Sequence, residues 1–242
     1  MAFGMAGLAM GLIVFPLLFI IIRNRDVRQT VARAITGKAF SGFIWMMKSL
    51  GVLSYRIAGS EHIRPASNQL IIANHPTLID VVFLVSLFPQ ADCVVKEAVV
   101  RNPFMRNTAR AANYISNDAP DEWLQECISR LESGGRLLLF PEGTRSVPGA
   151  PLALKLGAAA IAVRANSEIL PITIQCTPPT LAKGEPWYRI PETRPFFAIR
   201  IFAPVSIEEL SRGDGNCRQA TRALTKTFET LLSHPDKLAD RG

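Results

Sequence analysis

The sequence has few of the residues that build disulfides and metal centres. Its 242 residues include 4 cysteines and 3 histidines. No two cysteines form a CxxC pair, and no histidine stands at ligand spacing from Cys93, Cys127, Cys176 or Cys217. This pattern excludes a disulfide framework and a zinc site, and it indicates reduced thiols in a reducing compartment. We therefore expect no metal and no bound cofactor.

Acidic residues are also scarce relative to basic ones. The chain has 20 Asp and Glu against 27 Lys and Arg, which gives a formal net charge of +7. Such a surplus suits an anionic membrane surface or an anionic substrate. Beyond the first 48 residues no basic stripe occurs, and no basic run is interleaved with aromatic residues. We therefore expect no nucleic-acid partner.

Charge is absent altogether from residues 2–22. At about 1.5 Å per residue, such a helix is long enough to cross a bilayer core of roughly 30 Å, although Pro16 is expected to kink it. Either a spanning helix or a helix that dips into one leaflet fits this pattern. We predict a membrane segment over residues 1–25.

Basic residues follow the uncharged segment and none precedes it, which is the reverse of a signal peptide. They are Arg23, Arg25, Arg28, Arg33 and Lys38. By the positive-inside tendency, the rest of the chain stays on the cytoplasmic side. The expected location is a bacterial-type inner membrane.

Residues 26–58 form a basic region with helical periodicity. The apolar positions recur at intervals of three and four residues, at Phe40, Phe43, Ile44, Met47 and Leu50. A helix on the membrane surface fits this pattern, with Trp45 at headgroup depth. An amphipathic helix packed on its own domain fits nearly as well, and one helix can do both.

From Gly59 onward, short apolar runs alternate with helical stretches. We predict strands at 70–73, 93–95, 114–115, 136–140, 169–174 and 196–202, and helices at 81–88, 103–112, 121–132, 152–164 and 218–232. This alternation predicts a single α/β domain over residues 59–242 with a largely parallel sheet flanked by helices. Ligands bind such sheets at the carboxyl ends of the strands.

The first chemical motif follows the apolar run 70–73. It reads Asn74-His75-Pro76-Thr77-Leu78-Ile79-Asp80. A histidine and an aspartate across a strand-to-helix turn can lie side by side, so that the carboxylate orients the imidazole to take a proton from a hydroxyl. The other two histidines, His62 and His234, have no carboxylate at this spacing and follow no strand. We read them as ordinary surface or packing residues.

A second strand also turns abruptly polar, at Phe140-Pro141-Glu142-Gly143-Thr144-Arg145-Ser146. Gly143 permits a sharp turn or a close backbone approach to a ligand. Arg145 can bind a phosphate or carboxylate through paired hydrogen bonds. The stretch therefore predicts an anion site facing the base. Alternatively, it is a tight turn in which Glu142 and Arg145 pair with each other.

Together the two stretches resemble the NHxxxxD and FPEGTRS motifs of the 1-acylglycerol-3-phosphate acyltransferase family, the lysophospholipid acyltransferases. The order of the motifs and their separation of about 65 residues also resemble that family. Two shorter pieces are similar as well, Lys155-Leu156-Gly157 and Leu170-Pro171-Ile172. The resemblance covers roughly residues 59–174.

This resemblance implies transfer of a fatty acyl group from a thioester, on acyl carrier protein or coenzyme A, to the hydroxyl of a membrane lipid. The catalytic residues are then His75 as general base and Asp80 as its orienting partner. The acceptor-binding residues are Glu142, Gly143, Thr144 and Arg145, and the supporting residues are Asn74, Pro141 and Lys155. The acceptor that the family implies is 1-acylglycerol-3-phosphate, and the product is phosphatidate.

One departure leaves the acceptor open. The family has a strand ending in a phosphate-binding arginine between the two motifs, and Asn117 stands at the corresponding place, with Arg106 and Arg110 nearby. A lyso-aminolipid or a polyketide or aryl lipid therefore remains an alternative acceptor, and thioester hydrolysis and a non-enzymatic lipid-binding role are further alternatives. Residues 177–193 read as a long loop that either covers the acyl site or simply connects two strands.

Overall fold

A computed structural model describes residues 10–97, 101, 103–117, 120–186, 188–189, 191–210 and 217–233. The predicted single sheet is present. Within these residues its seven strands are β1 (Ser54–Ala58), β2 (Gln69–Ala73), β3 (Asp92–Val95), β4 (Ile115–Ser116), β5 (Arg136–Leu139), β6 (Glu168–Thr177) and β7 (Phe196–Ile201). Their order across the sheet is β1-β7-β6-β2-β5-β3-β4.

All neighbouring strands pair in parallel except β6 and β7, which are antiparallel. The expectation of a largely parallel sheet is therefore confirmed. The strands on both sides of β2 run parallel to it, so the carboxyl ends of β2, β5, β3 and β4 lie along one edge of the sheet. Both sequence motifs begin at that edge.

The helices alternate with the strands along the chain. In the described residues they are α1 (Phe15–Ile21), α2 (Arg25–Ser49), α3 (Asp80–Leu87), α4 (Pro103–Ala111), α5 (Pro120–Glu132), α6 (Leu156–Ala165), α7 (Ile207–Leu210) and α8 (Cys217–Ser233). A π-helical turn, Met10–Val14, precedes α1, and a 3-10 turn, Ser60–His62, follows β1. Most boundaries lie within a few residues of the predicted ones.

Two apolar cores cover the two faces of the sheet, because strand side chains alternate between the faces. Helices α5, α6 and α8 pack on one face, where Leu70, Leu137 and Phe228 are fully buried. Helices α2 and α3 pack on the other, around Phe83 and Phe197. Strand β2 is buried along its whole length, which gives the first motif a rigid base.

The N-terminal segment differs from the expected membrane helix. Its described part consists of the π-helical turn and the seven residues of α1, and it is separated from α2 by a break at 22–24. Within the described residues, no helix combines the length and the apolar character that crossing a bilayer requires. Residues 1–9 of the predicted segment lie outside the described part.

This segment nevertheless exposes apolar side chains to solvent. Six of them are Leu12, Ile13, Leu17, Phe19, Ile20 and Ile21, with Ile20 at 73% exposure. Exposed apolar residues that cluster in one segment are typical of a membrane or protein contact.

Helix α2 ends earlier than predicted, because Ser54–Ala58 form strand β1 instead of helix. This strand pairs with β7, so the sheet begins five residues before Gly59. The helix buries one face against α3, where the side chain of Pro89 fills the space that a Cβ at Gly37 would occupy. It exposes Trp45 on the other. Helix α2 therefore packs on its own domain while presenting an aromatic residue outward.

One basic residue of the predicted membrane flank is buried instead. Arg33 lies inside the protein, where it pairs with Asp92 of β3 and donates to the carbonyl oxygens of Gln90 and Ala112 at 2.9 and 2.8 Å. Arg130 of α5 pairs with the same carboxylate at 2.5 Å. Because a buried carboxylate requires such partners, this cluster ties α2 and α5 to the sheet.

Candidate active site

The first motif forms the turn between β2 and α3. His75 Nδ1 lies 3.0 Å from Asp80 Oδ2, so the predicted contact between the two side chains is present. Asp80 is fully buried, whereas the His75 side chain keeps 18% of its surface exposed. An ionised carboxylate only accepts hydrogen bonds, so Nδ1 carries the proton and the other ring nitrogen, Nε2, keeps its lone pair.

Asp80 is held by Thr77 as well as by His75. The backbone N–H of Thr77 donates to Oδ2 at 2.6 Å, and its hydroxyl donates to Oδ1. A backbone bond from a Thr to an acid three residues later is one half of the capping box that begins many helices. Burial raises the pKa of Asp80 above its usual value, and the hydrogen bonds from His75 and Thr77 oppose that rise. The carboxylate thus has a fixed position under the imidazole.

The imidazole of His75 also contacts the second motif. Its ring stacks on Phe140, with the ring centroids 4.2 Å apart and the planes inclined by 22°. The contact on the ring face and the hydrogen bond at Nδ1 together fix the orientation of the base. Phe140 follows the last residue of β5, and β5 pairs with β2, so the sheet itself brings the two motifs together.

Glu142 joins the two motif loops through one carboxylate oxygen. The backbone N–H of His75 and the hydroxyl of Ser146 both donate to Oε1, each at 2.9 Å. The backbone N–H of Ser146 donates in turn to the carbonyl of His75 at 2.7 Å. Glu142 is buried and negatively charged, so its contacts suit positioning of His75 better than the expected binding of an anionic acceptor.

Gly143 forms a turn that a larger residue would strain. Its φ is +66°, which favours glycine, and its N–H donates to the carbonyl of Phe140 at 3.0 Å. A Cβ at this position would lie 3.0 Å from the Nζ of Lys155. The Lys155 ammonium therefore lies directly against this turn, and the Lys155 N–H donates to the carbonyl of Pro141 at 2.8 Å.

Arg145 binds a loop instead of pairing with Glu142. Its Nη1 donates to the carbonyl oxygens of Leu181 and Ala182 at 2.8 and 2.9 Å. The N–H of Leu78, in the first motif, also donates to the carbonyl of Leu181 at 3.1 Å. The chain between β6 and β7 is thereby attached to both motifs, so it is more than a plain connection. Trp187, within this loop, lies outside the described residues.

The remaining predicted site residues have different surroundings. The Asn74 amide exchanges two hydrogen bonds with the backbone of Ile174, at 2.7 and 2.8 Å, and so extends the pairing of β2 with β6. Pro141 is buried and Thr144 is half-buried in the second turn. Asn117 is exposed at the end of β4, and its N–H donates to the carbonyl of Val95 at 3.1 Å.

A cavity of about 340 Å³ opens beside the base. Its lining includes Thr77 and Ser146, the residues that hold Asp80 and Glu142, together with Pro76, Ile174 and Cys176. Burial raises the pKa of the Cys176 thiol to about 11, so the thiol stays protonated at neutral pH and is a poor nucleophile. A substrate in this cavity would contact Pro76 and Thr77, the two residues that follow His75 in the chain.

Sequence reasoning missed Thr77, Ser146 and Phe140. The first had a signal, since Thr77 stands three residues before Asp80 as in a capping box. The other two act through pairing of β2 with β5, which no local pattern reveals. Of the two isolated histidines, His62 ends the 3-10 turn and His234 lies outside the described residues.

Fold and site together define a class of protein: an α/β domain that presents a carboxylate-held histidine at the edge of a parallel sheet, next to an open cavity. The family model named Acyltransferase matches residues 54–175, which is half of the chain. The chain therefore belongs to the Acyltransferase family. The matched region begins at β1, the strand whose residues the sequence pattern had assigned to a helical region.

Curated relatives and a solved structure agree with this membership. The chain is 26% identical to the 1-acyl-sn-glycerol-3-phosphate acyltransferase of Pseudomonas aeruginosa, over 80% of this chain and 78% of that protein. It is 25% identical to the alpha enzyme of the same name from Mus musculus, over 69% and 60%. The chain spans only about half the length of several other relatives that it matches, including 41% of the enzyme of that name from Chlamydomonas reinhardtii.

The structure of PlsC from Thermotoga maritima, a 1-acyl-sn-glycerophosphate acyltransferase, superposes with a TM-score of 0.65. The match covers 92% of this chain and 90% of that one, at 23% sequence identity. This likeness supports the fold over nearly the whole chain.

Proposed function

We propose that this protein transfers a fatty acyl group from a thioester to the free hydroxyl of 1-acylglycerol-3-phosphate, giving phosphatidate. The observation that carries the proposal is the His75–Asp80 pair, in which Asp80 holds Nδ1 of the imidazole and Phe140 of the second motif stacks on the ring. The names of the relatives support the choice of acceptor, and the motifs of both turns match the acyltransferases of this class.

In the proposed reaction His75 Nε2 takes the proton of the acceptor hydroxyl as its oxygen attacks the thioester carbonyl. Asp80 stabilises the imidazolium that forms, and Thr77 keeps the carboxylate in place. The tetrahedral intermediate then collapses with cleavage of the C–S bond, and the departing thiolate receives the proton from His75. General-base catalysis of this kind contributes about 10² to 10⁴ in rate. A covalent acyl-enzyme is unnecessary, because the thioester is already activated.

For the acceptor's phosphate, Lys155 is the strongest candidate partner. Its ammonium lies against Gly143, one residue from the carboxylate that holds His75, and it has no ion-pair partner in the described residues. Arg145 contributes through its remaining guanidinium nitrogens, since Nη1 is bound to the loop. The cation and the base thus belong to the two motif loops that the hydrogen bond from His75 to Glu142 joins.

The site is proposed to work at a membrane surface on the cytoplasmic side. The exposed apolar residues of 10–21 and the exposed Trp45 would lie at headgroup depth, and the net charge of +7 favours an anionic surface. The donor is proposed to be acyl-coenzyme A or acyl carrier protein. No bound cofactor or metal takes part in the proposed reaction.

Purified protein with a panel of acceptors tests the proposal. We expect rapid acylation of 1-acylglycerol-3-phosphate and slow or no acylation of lyso-aminolipids. We also expect no release of free fatty acid in the absence of an acceptor. Efficient hydrolysis without acceptor would identify a thioesterase instead, and preference for an uncharged acceptor would overturn the assignment of Lys155.

A further inference from the structure

A groove between helices α6 and α8 lies outside the site described above. Its volume is about 510 Å³, compared with about 340 Å³ for the cavity beside the base. Its described lining consists of Leu156, Ala160 and Arg164 from α6 and Cys217, Arg218, Thr221 and Arg222 from α8. The three α6 residues stand at intervals of four, so they lie on one face of that helix. The α6–α8 groove is therefore an elongated depression between two helix faces.

Arginines carry the charge of the α6–α8 groove. Arg164 lies on α6, Arg218 and Arg222 lie one turn apart on α8, and Lys226 lies a further turn along α8. All four residues are exposed. In the part of the chain that the structure describes, no acidic residue lines the groove or pairs with these three arginines. The row on α8 corrects the expectation that no basic stripe occurs beyond the first 48 residues.

The spacing of these charges suits an extended acidic partner. Side chains four residues apart on a helix are about 6 Å apart along its axis, and acidic residues four apart on a partner helix have the same spacing. The rest of the described lining is small or apolar, and Leu156 is 51% exposed. Apolar contacts surrounded by charged groups are typical of protein–protein interfaces. No aromatic residue occurs in the described lining, so the groove lacks the stacking surface of a site for single-stranded nucleic acid.

The α6–α8 groove and the exposed apolar segment lie on opposite sides of the sheet. Helices α6 and α8 pack on one face of the sheet, whereas α2 packs on the other. The exposed Trp45 belongs to α2, and the exposed apolar residues of 10–21 belong to the segment that precedes it. With the α2 side on the membrane, as proposed above, a partner reaches the groove from the aqueous phase.

One end of the α6–α8 groove adjoins the second motif. Leu156, in the groove lining, directly follows Lys155, whose ammonium lies against the Gly143 turn. The Lys155 N–H donates to the carbonyl of Pro141 at 2.8 Å. A partner that contacts Leu156 therefore lies next to the loop of the second motif.

We propose that the α6–α8 groove docks the acidic surface of an acyl carrier protein, which delivers the acyl thioester. The choice of this partner rests on the proposed function, because that reaction needs a thioester donor and a carrier protein is the donor that presents an extended acidic surface. The carrier protein holds its acyl group on a flexible pantetheine arm, so it can dock beside the base while the thioester reaches the base. Coenzyme A has only a compact set of phosphates and needs no row of cations.

The test compares two double variants of the full chain with equal loss of charge. One is R218Q/R222Q, and the matched control is R56Q/R64Q, which removes two exposed arginines outside the groove. Circular dichroism and thermal unfolding check that both are folded. Fluorescence anisotropy then measures equilibrium binding of a labelled bacterial acyl carrier protein that carries an unreactive acyl thioether.

The groove variant should lose about tenfold in affinity for the carrier protein relative to the wild type and the control, because each exposed charge pair contributes about threefold. This difference should vanish as the salt concentration approaches about 1 M, where the Debye length is roughly 3 Å. Leu156→Ser should weaken binding at every salt concentration, because it removes an apolar contact that salt does not screen. Both double variants should bind a thioether analogue of acyl-coenzyme A as tightly as the wild type does.

The proposal is overturned if the two double variants bind the carrier protein alike. It is also overturned if the groove variant loses as much affinity for the acyl-coenzyme A analogue, which would make the groove a site for nucleotide phosphates. An equal loss of affinity for phosphatidylglycerol vesicles would place the groove at the membrane and overturn it too.

These binding measurements separate the docking surface from the proposed function. Groove-dependent binding of the carrier protein, without acyl transfer to 1-acylglycerol-3-phosphate, would contradict the proposed function and support the docking surface. Acyl transfer from acyl-coenzyme A by a protein that binds no carrier protein would support the proposed function and overturn the docking surface.

Discussion

The two ends of one sheet edge differ in how their polar groups are used. Where β2 and β5 end, the carboxylates of Asp80 and Glu142 accept hydrogen bonds from inside the protein, and these bonds fix His75. Where β4 ends, Arg25, Arg28 and Arg110 line a cavity without a carboxylate in its described lining.

This difference separates two kinds of site. A catalytic base needs one orientation, which the protein can build in advance from its own contacts. A binding site keeps donors for its ligand, at a cost in stability that the ligand offsets. Substitutions at the first end should therefore act mainly on turnover, whereas those at the second should act on binding.

The largest effect is expected at the base itself. His75→Ala removes the proton acceptor and should lower kcat by about 10² to 10⁴ with little change in affinity for the donor. Acyl transfer to 1-acylglycerol-3-phosphate, measured with radiolabelled thioester, checks this. Substitution of His62, which lies away from the motif, provides the control. Unchanged turnover in His75→Ala would contradict the whole mechanism.

Asp80→Asn should separate activity from stability. The variant should lose about 10² to 10⁴ in kcat, because the imidazolium that forms no longer has an anionic partner. Its free energy of unfolding at neutral pH should equal or exceed that of the wild type. Burial raises the pKa of Asp80, so the folded protein binds its proton more tightly than the unfolded chain, and ionisation with rising pH costs stability.

The stability difference between Asp80→Asn and the wild type should consequently shrink as the pH falls toward 3.8, the usual value for an aspartate. Denaturant unfolding at several pH values measures this difference. The opposite result is that the wild type is more stable than the variant at neutral pH, by a margin that grows as the pH rises. It would show that the hydrogen bonds to Asp80 stabilise the ionised carboxylate more than burial destabilises it.

Glu142 provides a way to test positioning against acceptor binding. Glu142→Gln keeps one carbonyl oxygen for the two donors, so it should retain most activity. Glu142→Ala leaves the buried His75 N–H without a partner, at about 1 to 3 kcal/mol, and should lower kcat about tenfold to a hundredfold. The measurement is kcat and KM for the acceptor in both variants. A rise in acceptor KM alone would restore the predicted binding role.

Gly143→Ala should act on stability more than on chemistry. An alanine at φ +66° is strained, and its Cβ would press on the Lys155 side chain. We expect a loss of about 1 to 3 kcal/mol in the free energy of unfolding. Urea denaturation measures it, and Gly149→Ala, also at positive φ but in open space, separates strain from contact. Equal losses would show that the contact with Lys155 contributes nothing.

Most of the sheet and the contact between His75 and Asp80 could be predicted because their signals are local. Apolar runs mark the buried strands, and the spacing from His75 to Asp80 crosses a single turn. Strand β1 was missed because its half-exposed residues continue the helical periodicity of α2 and pair only with the distant β7. Arg33 was placed at the membrane flank because its partner, Asp92, is 59 residues away.

The contacts of Glu142 and Arg145 also join distant parts of the chain. Glu142 reaches His75 across 67 residues, and Arg145 reaches Leu181 across 36. The cavity lined by Arg25, Arg28 and Arg110 lies between the start of α2 and the end of α4, so nothing in either segment alone indicates it. Motif spacing therefore predicts the chemistry, while tertiary contacts decide which side chain binds and which one positions.

The smallest effect is expected at Cys176, which lines the cavity beside the base. Burial raises the pKa of its thiol to about 11, and its Sγ–H donates to the carbonyl of Pro178 at 3.4 Å. Cys176→Ser preserves the size of the side chain and its hydrogen-bond donor, so kcat should change by no more than about threefold. This is well below the tenfold change that about 1.36 kcal/mol of activation free energy would produce. Assay of the variant, together with iodoacetamide treatment of the wild type, checks this. A loss comparable to that of His75→Ala would indicate a covalent acyl-cysteine and replace the general-base mechanism.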